Sequence, residues 1–134
     1  MPYTKGFSMN IRVYYEDTDT GGVVYHSNYL NFCERARSDS FFKLGSTPVL
    51  ENGHFVARKV EADYFLSAKL GDELKVTTEL LVMKAASFKL LQTIYKEEKK
   101  IFELSITLAY ITFEGKPQKI TTDVKELLLS LFSK

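Results

Sequence analysis

The chain contains no tryptophan, a single cysteine, two histidines and three prolines among its 134 residues. One thiol, Cys33, cannot form a disulfide framework, and Cys33 with the well-separated His26 and His54 offers no zinc-ligand spacing. A reducing, cytoplasmic setting without a bound metal is the expectation. Charge of one sign is also missing. A formal net charge of +1 gives no bulk attraction for nucleic acid. No apolar run approaches the roughly 20 residues of a membrane span, and the start, Met1 to Phe7, lacks the continuous apolar core of a secretory signal.

What is present is an ordinary globular composition, 45% hydrophobic and 26% charged, in a length suited to one core. A single domain over residues 1–134 is expected. Residues 8–16 alternate Met9, Ile11, Val13 and Tyr15 against Asn10, Arg12, Tyr14 and Glu16, the period of a half-buried strand. From about Ser27 to Leu44 the spacing turns helical through Tyr29, Phe32, Cys33 and Ala36, with Ser27 or Asn28 as N-cap and Gly45 as the stop. Strand-like runs follow at 55–65, 74–82, 87–95 and 101–113. Leu70-Gly71-Asp72-Glu73 reads as the turn between the first two, and the charged segment Lys96 to Lys100 as an exposed hairpin connection. A last stripe, Val124, Leu127, Leu128, Leu131 and Phe132, predicts a short helix, with Asp123 and Glu126 as a capping box.

Short connections between successive strands argue for an antiparallel meander. Only the first helix is long and apolar enough to cover it. The fold class is therefore α+β, a sheet wrapped around one central helix. Such a sheet leaves edges and apolar surface that a second copy protects, which points to a symmetric dimer or a dimer of dimers, a homotetramer.

The segment from Tyr15 to Tyr29 breaks the pattern. It gathers carboxylates, Gly21, Gly22, His26 and three tyrosines at a strand-to-helix junction, groups that a core excludes. Read without further context, Asp17 and Asp19 suit loop and cap positions, and His26 suits a helix start. A calcium loop fits poorly, because Gly21 stands at its fifth position and Asn28 where a bidentate glutamate is needed.

The string Arg12-Val13-Tyr14-Tyr15-Glu16-Asp17-Thr18-Asp19, then Gly21-Gly22-Val23-Val24-Tyr25-His26-Ser27-Asn28-Tyr29, then Glu34-Arg35-Ala36-Arg37, resembles the hotdog-fold thioesterases of the 4-hydroxybenzoyl-CoA thioesterase type. Within them it is similar to the YbgC-like, Tol-Pal-associated acyl-CoA thioesterases. Weaker likeness continues through Phe55-Val56-Ala57-Arg58 and Leu70-Gly71-Asp72. The resemblance implies hydrolysis of an acyl-CoA or acyl-carrier-protein thioester, in a site shared between two subunits, with no metal or redox cofactor. It places Asp19 at the catalytic carboxylate, His26 at the histidine of the YbgC-like branch and Tyr15 at the aromatic hydroxyl before the loop.

Those residue types suit the chemistry. A thioester carbonyl is electrophilic enough for one positioned carboxylate to activate water, or to attack it directly and form a mixed anhydride. Backbone N–H groups of residues 25–28, at the helix N-terminus, can stabilise the developing oxyanion. Gly22, Val23, Val24, Tyr25 and Asn28 are expected to contact substrate, with Arg58 and Lys59 as candidates for the coenzyme A phosphates. Asp17 is the structural member of the carboxylate group, and Cys33 is packed. Two other functions share this fold class. A hydratase or dehydratase moves a proton beside the thioester without cleaving it, and a non-catalytic acyl-binding or scaffold subunit is linked to envelope or lipid-synthesis proteins.

Overall fold

The computed structural model describes residues 7–132. In chain order these form β1 (Phe7–Arg12), a 3-10 turn (Tyr15–Asp17), α1 (Asn28–Lys43), β2 (His54–Tyr64), β3 (Glu73–Met83), β4 (Ser87–Lys96), β5 (Lys99–Ile111) and α2 (Thr122–Phe132). The strands make one five-stranded antiparallel sheet in the order β1-β3-β4-β5-β2. This is the expected α+β architecture, although several details differ from the expectation.

The first strand stops at Arg12, short of Glu16, because the chain tightens into the 3-10 turn. The meander holds only for β3, β4 and β5, since β2 pairs with β5 at the far edge and does not touch β3. The turn signal at Gly71 is real, with φ of +89°. It closes onto the first strand's extension: Gly71 N–H donates to the Val13 carbonyl and Val13 N–H to that of Asp72, both at 2.9 Å. That turn therefore joins β1 to β3, and residues 65–72 carry the chain across from the opposite edge.

Helix α1 packs against the sheet. Its buried residues, Tyr29, Phe32, Cys33, Ala36, Ser40 and Phe41, follow helical spacing with small side chains in the middle and aromatic ones toward the ends. Cys33 and Ala36 let the helix axis approach the sheet, while the rings fill the wider space at either end. Leu30, Phe42 and Leu44 remain exposed. Opposite lie Val76, Leu90, Ile94, Phe102 and Leu104, all essentially inaccessible to solvent.

One polar residue sits among them. Gln92 is completely buried, and its amide donates to the Cys33 carbonyl and to Thr78 Oγ1, both at 2.9 Å, while its Oε1 accepts from Arg37 at 2.8 Å. Every part of this side chain is thus satisfied, as a buried amide requires.

Helix α2 begins differently from the sequence reading. Thr121 caps it, its Oγ1 accepting from Val124 N–H at 3.4 Å, so the third helical position is a valine and no capping box forms. Its stripe buries Leu128, Leu131 and Phe132, with Phe132 edge-on to Phe41 at 6.1 Å. His54 opens β2, one residue before the expected start at 55, and stacks on Phe113 at 5.6 Å. Among the described residues no helix is long and apolar enough to cross a membrane.

The β4–β5 hairpin turns between Lys96 and Lys99, with Glu97 at φ +57°, a left-handed conformation that strains a residue carrying a Cβ. Glu97→Gly is expected to raise stability by about 0.5–1 kcal/mol, read as a higher urea midpoint with an unchanged slope.

Candidate active site

The junction between β1 and α1 is held by Asp17. It is 5% exposed, its Oδ2 accepts Tyr14 N–H at 2.9 Å, and its carbonyl accepts both Tyr25 N–H at 3.0 Å and Asn28 Nδ2 at 2.9 Å. Asn28 therefore serves as a strap between the helix start and the 3-10 turn. Ser27 takes the N-cap position without a side-chain cap bond.

Between these anchors the chain makes a small loop. Asp19 N–H donates to the Val23 carbonyl at 2.9 Å and Gly22 N–H to the Asp19 carbonyl at 3.1 Å. Gly22 has φ of +83°, a conformation that disfavours residues with a Cβ. Asp19 Oδ1 accepts Gly21 N–H at 2.8 Å, which fixes the carboxylate. Its Oδ2 has no protein partner among the described residues and is available to water or a ligand.

Asp19 and His26 both border one open groove of about 320 Å³, together with Val23, Val24 and Tyr25. Tyr29, Tyr64 and residues 65–67 form its other wall. Val24 N–H donates to the Ala68 carbonyl, and Tyr29 Oη accepts Ala68 N–H, both at 2.9 Å, so the crossing segment is tied to the helix start. Tyr64 Oη donates to the His26 carbonyl at 2.8 Å, and the His26 ring lies 4.6 Å from that of Tyr25. Burial pushes the Tyr29 and Tyr64 phenols up, so both keep their protons at neutral pH. Cys33 is pushed up to about 12, chiefly by burial, and is no nucleophile.

Of the four amides expected to face a ligand, two are already used. Tyr25 N–H bonds the Asp17 carbonyl and Asn28 N–H the Tyr25 carbonyl. Those of His26 and Ser27 make no hydrogen bond among the described residues.

The other expected site residues lie elsewhere. Tyr15 is 83% exposed, on the 3-10 turn, and does not line the groove. Arg58 occupies the bulge in β2, where the register shifts between Ala57 and Lys59. Lys59 lies 3.9 Å from Glu61, beside a separate concavity with Lys84 and Lys89. Within one chain neither reaches the groove. Tyr64 and residues 65–67 were not anticipated. They lie far along the chain from the motif, and alternation in β2 does not reveal that its end meets α1.

Residues 21–103 match the model of the Thioesterase superfamily, designated 4HBT. The chain belongs to this family. Asp19 lies just before the matched span. Acyl-CoA thioesterase YbgC of Helicobacter pylori is 51% identical over 87 residues, 65% of each chain, so that alignment spans slightly under two thirds of the relative. Acyl-CoA thioesterase YbgC of Haemophilus influenzae is 38% identical over 125 residues, covering 90% of this chain and 92% of that one. Among solved structures, a probable thioesterase from Bartonella henselae superimposes with a TM-score of 0.80 at 32% identity, covering 85% of this chain and 98% of its own. The superfamily fold is thus present here with its sheet and central helix.

Asp17 generates a stability prediction. Asp17→Ala removes the acceptor of the part-buried Tyr14 amide and should cost about 0.5–2 kcal/mol, measured by urea unfolding. A change below a few tenths would contradict the anchoring role.

Proposed function

We propose that the chain hydrolyses acyl-CoA thioesters, releasing a carboxylic acid and the free CoA thiol. Support comes from one arrangement: in a member of this superfamily, a carboxylate held by Gly21 and a histidine border one groove at the N-terminus of α1, where the His26 and Ser27 amides are unpaired. The relatives from H. pylori and H. influenzae are both named acyl-CoA thioesterases.

In this reading the thioester carbonyl lies against the His26 and Ser27 N–H groups, whose dipoles and that of the helix stabilise the oxyanion as it forms. Asp19 Oδ2 takes a proton from the attacking water, or attacks the carbonyl itself. His26 orients the water or the thioester, and the Tyr64 hydroxyl steadies its backbone. Val23, Val24 and Tyr25 flank the acyl group, Gly22 permits close approach, and Asn28 acts by holding the helix start. An acyl-carrier protein is an alternative thiol carrier.

The site is completed by a second copy. The outer edge of β2 is unpaired in the single chain, and Val60, Tyr64, Phe65 and Leu66 on or beside it are between 43% and 52% exposed. An edge of this length with apolar side chains is a template for strand addition. Antiparallel pairing of two β2 strands about their middle sets His54 of one opposite Tyr64 of the other. Tyr15, Arg58 and Lys59 then have a route to the ligand across the interface.

Asp19→Asn should lower kcat by about a hundredfold to ten-thousandfold, with an unchanged melting temperature. The measurement is thiol release from a panel of acyl-CoAs; wild-type turnover in a folded variant would rule out the assignment. Altered alkene absorbance without thiol release would favour the hydratase reading.

A further inference from the structure

A second cavity, of about 330 Å³, opens on the opposite stretch of α1 between the helix, the loop before β2 and the sheet. Apolar side chains, with Phe41, Phe55, Phe88, Leu90 and Leu108 among them, share its walls with the polar Glu34, Arg37, Ser38 and His54. Arg37 is the cation in this lining. Its Nη1 donates to Gln92 Oε1 at 2.8 Å, and Gln92 is itself locked by Cys33 and Thr78, so the guanidinium is aimed by a buried and fully satisfied amide.

The remaining Arg37 donors have no protein acceptor among the described residues, and no carboxylate lies within ion-pair distance of it. Nor is any unpartnered side-chain nitrogen sealed from solvent, so Nε and Nη2 keep access to open space. Glu34 also borders the cavity, but it is exposed and its interaction is screened by water. Burial works against the guanidinium charge, yet an arginine stays protonated. A partly desolvated cation with free donors, set beside the rings of Phe41, Phe55 and Phe88, is matched by an anion carried on an apolar stem.

We propose that this cavity receives the far end of the acyl group and that Arg37 selects acyl chains ending in a carboxylate. The inference rests on the thioesterase reading above and names its substrate class. From Tyr29 in the groove to Arg37 is eight residues of helix, or about 12 Å, so the subsite lies well beyond the thioester. In the β2-paired dimer described above, this cavity at the start of β2 lies beside the partner's groove at the end of its β2.

The test is kcat/KM for CoA thioesters of rising chain length, each as a plain alkyl and a terminal-carboxylate pair. Wild type should favour the carboxylate member by about tenfold to a hundredfold at the length that spans the site. Arg37→Met should bring that ratio close to one, and Arg37→Lys should keep its sign. Equal or inverted ratios in wild type at every length, or a preference that survives Arg37→Met, overturn the proposal and leave the hydrolase reading standing.

Two further arms keep the result decisive. If Arg37→Met does not fold, Val49→Trp replaces it: Val49 borders the cavity and is 61% exposed, so the ring closes the mouth without disturbing the core, and an unchanged ratio is contrary evidence. If no thioester is cleaved, the hydrolase reading fails, and calorimetry with free dicarboxylic acids decides the subsite. Saturable binding lost in the variant supports it; no binding to wild type removes it.

Discussion

Asp17 determines where α1 begins, and the groove follows from that position. One carboxylate and one carbonyl on this residue collect a backbone donor from its own 3-10 turn, another from Tyr25 and a side-chain donor from Asn28. The consequence is a division of amides. By engaging Tyr25, and with Asn28 N–H turned back onto the Tyr25 carbonyl, the anchor leaves the intervening His26 and Ser27 amides unpaired. A helix N-terminus carries orphan donors in any case; here the local hydrogen bonds select which of them stay open.

The middle of the same helix is governed by size and by one amide. Cys33 and Ala36 bring α1 close enough for Gln92, rising from β4, to reach the Cys33 carbonyl. A larger residue at either position would lift the helix away from that bond and overpack the interface. The contact fixes the helix vertically over the sheet, and through Arg37 it also fixes the direction of a cation one helical turn further on. Packing at the centre of the core and orientation at the cavity wall are therefore one constraint.

Much of this was legible in the sequence because it is local. Helical spacing located α1 to within a residue at each end, and strict alternation located β3, β4 and β5. The motif string brought Asp19 and His26 to one junction, and both border the same groove. Pairing was not legible. The signal at Gly71 correctly marks a turn, but which strands a turn serves depends on long-range hydrogen bonds, here to Val13. For the same reason Tyr64 was invisible as a wall of the groove. Tyr15 shows the converse: its place in an alternating run suggested a strand side chain, yet the buried Asp17 pulls the backbone into a 3-10 turn that leaves the ring in solvent.

Exposure of Asp19 and His26 in a single chain bears on assembly. Stabilising an oxyanion with backbone dipoles depends on excluding water, since the same dipoles are worth far less in a high-dielectric setting. The groove is open on one side, and the residues beside that opening, Tyr64, Phe65 and Leu66, are half-exposed and apolar at the end of an unpaired strand. A surface that closes this opening satisfies the β2 backbone, buries the rings and lowers the dielectric around Asp19 at once. On the proposed β2 pairing a second copy of the chain supplies that surface, and the Arg37 cavity of one subunit comes near the groove of the other. On that proposal, site chemistry and oligomerisation draw on the same strand.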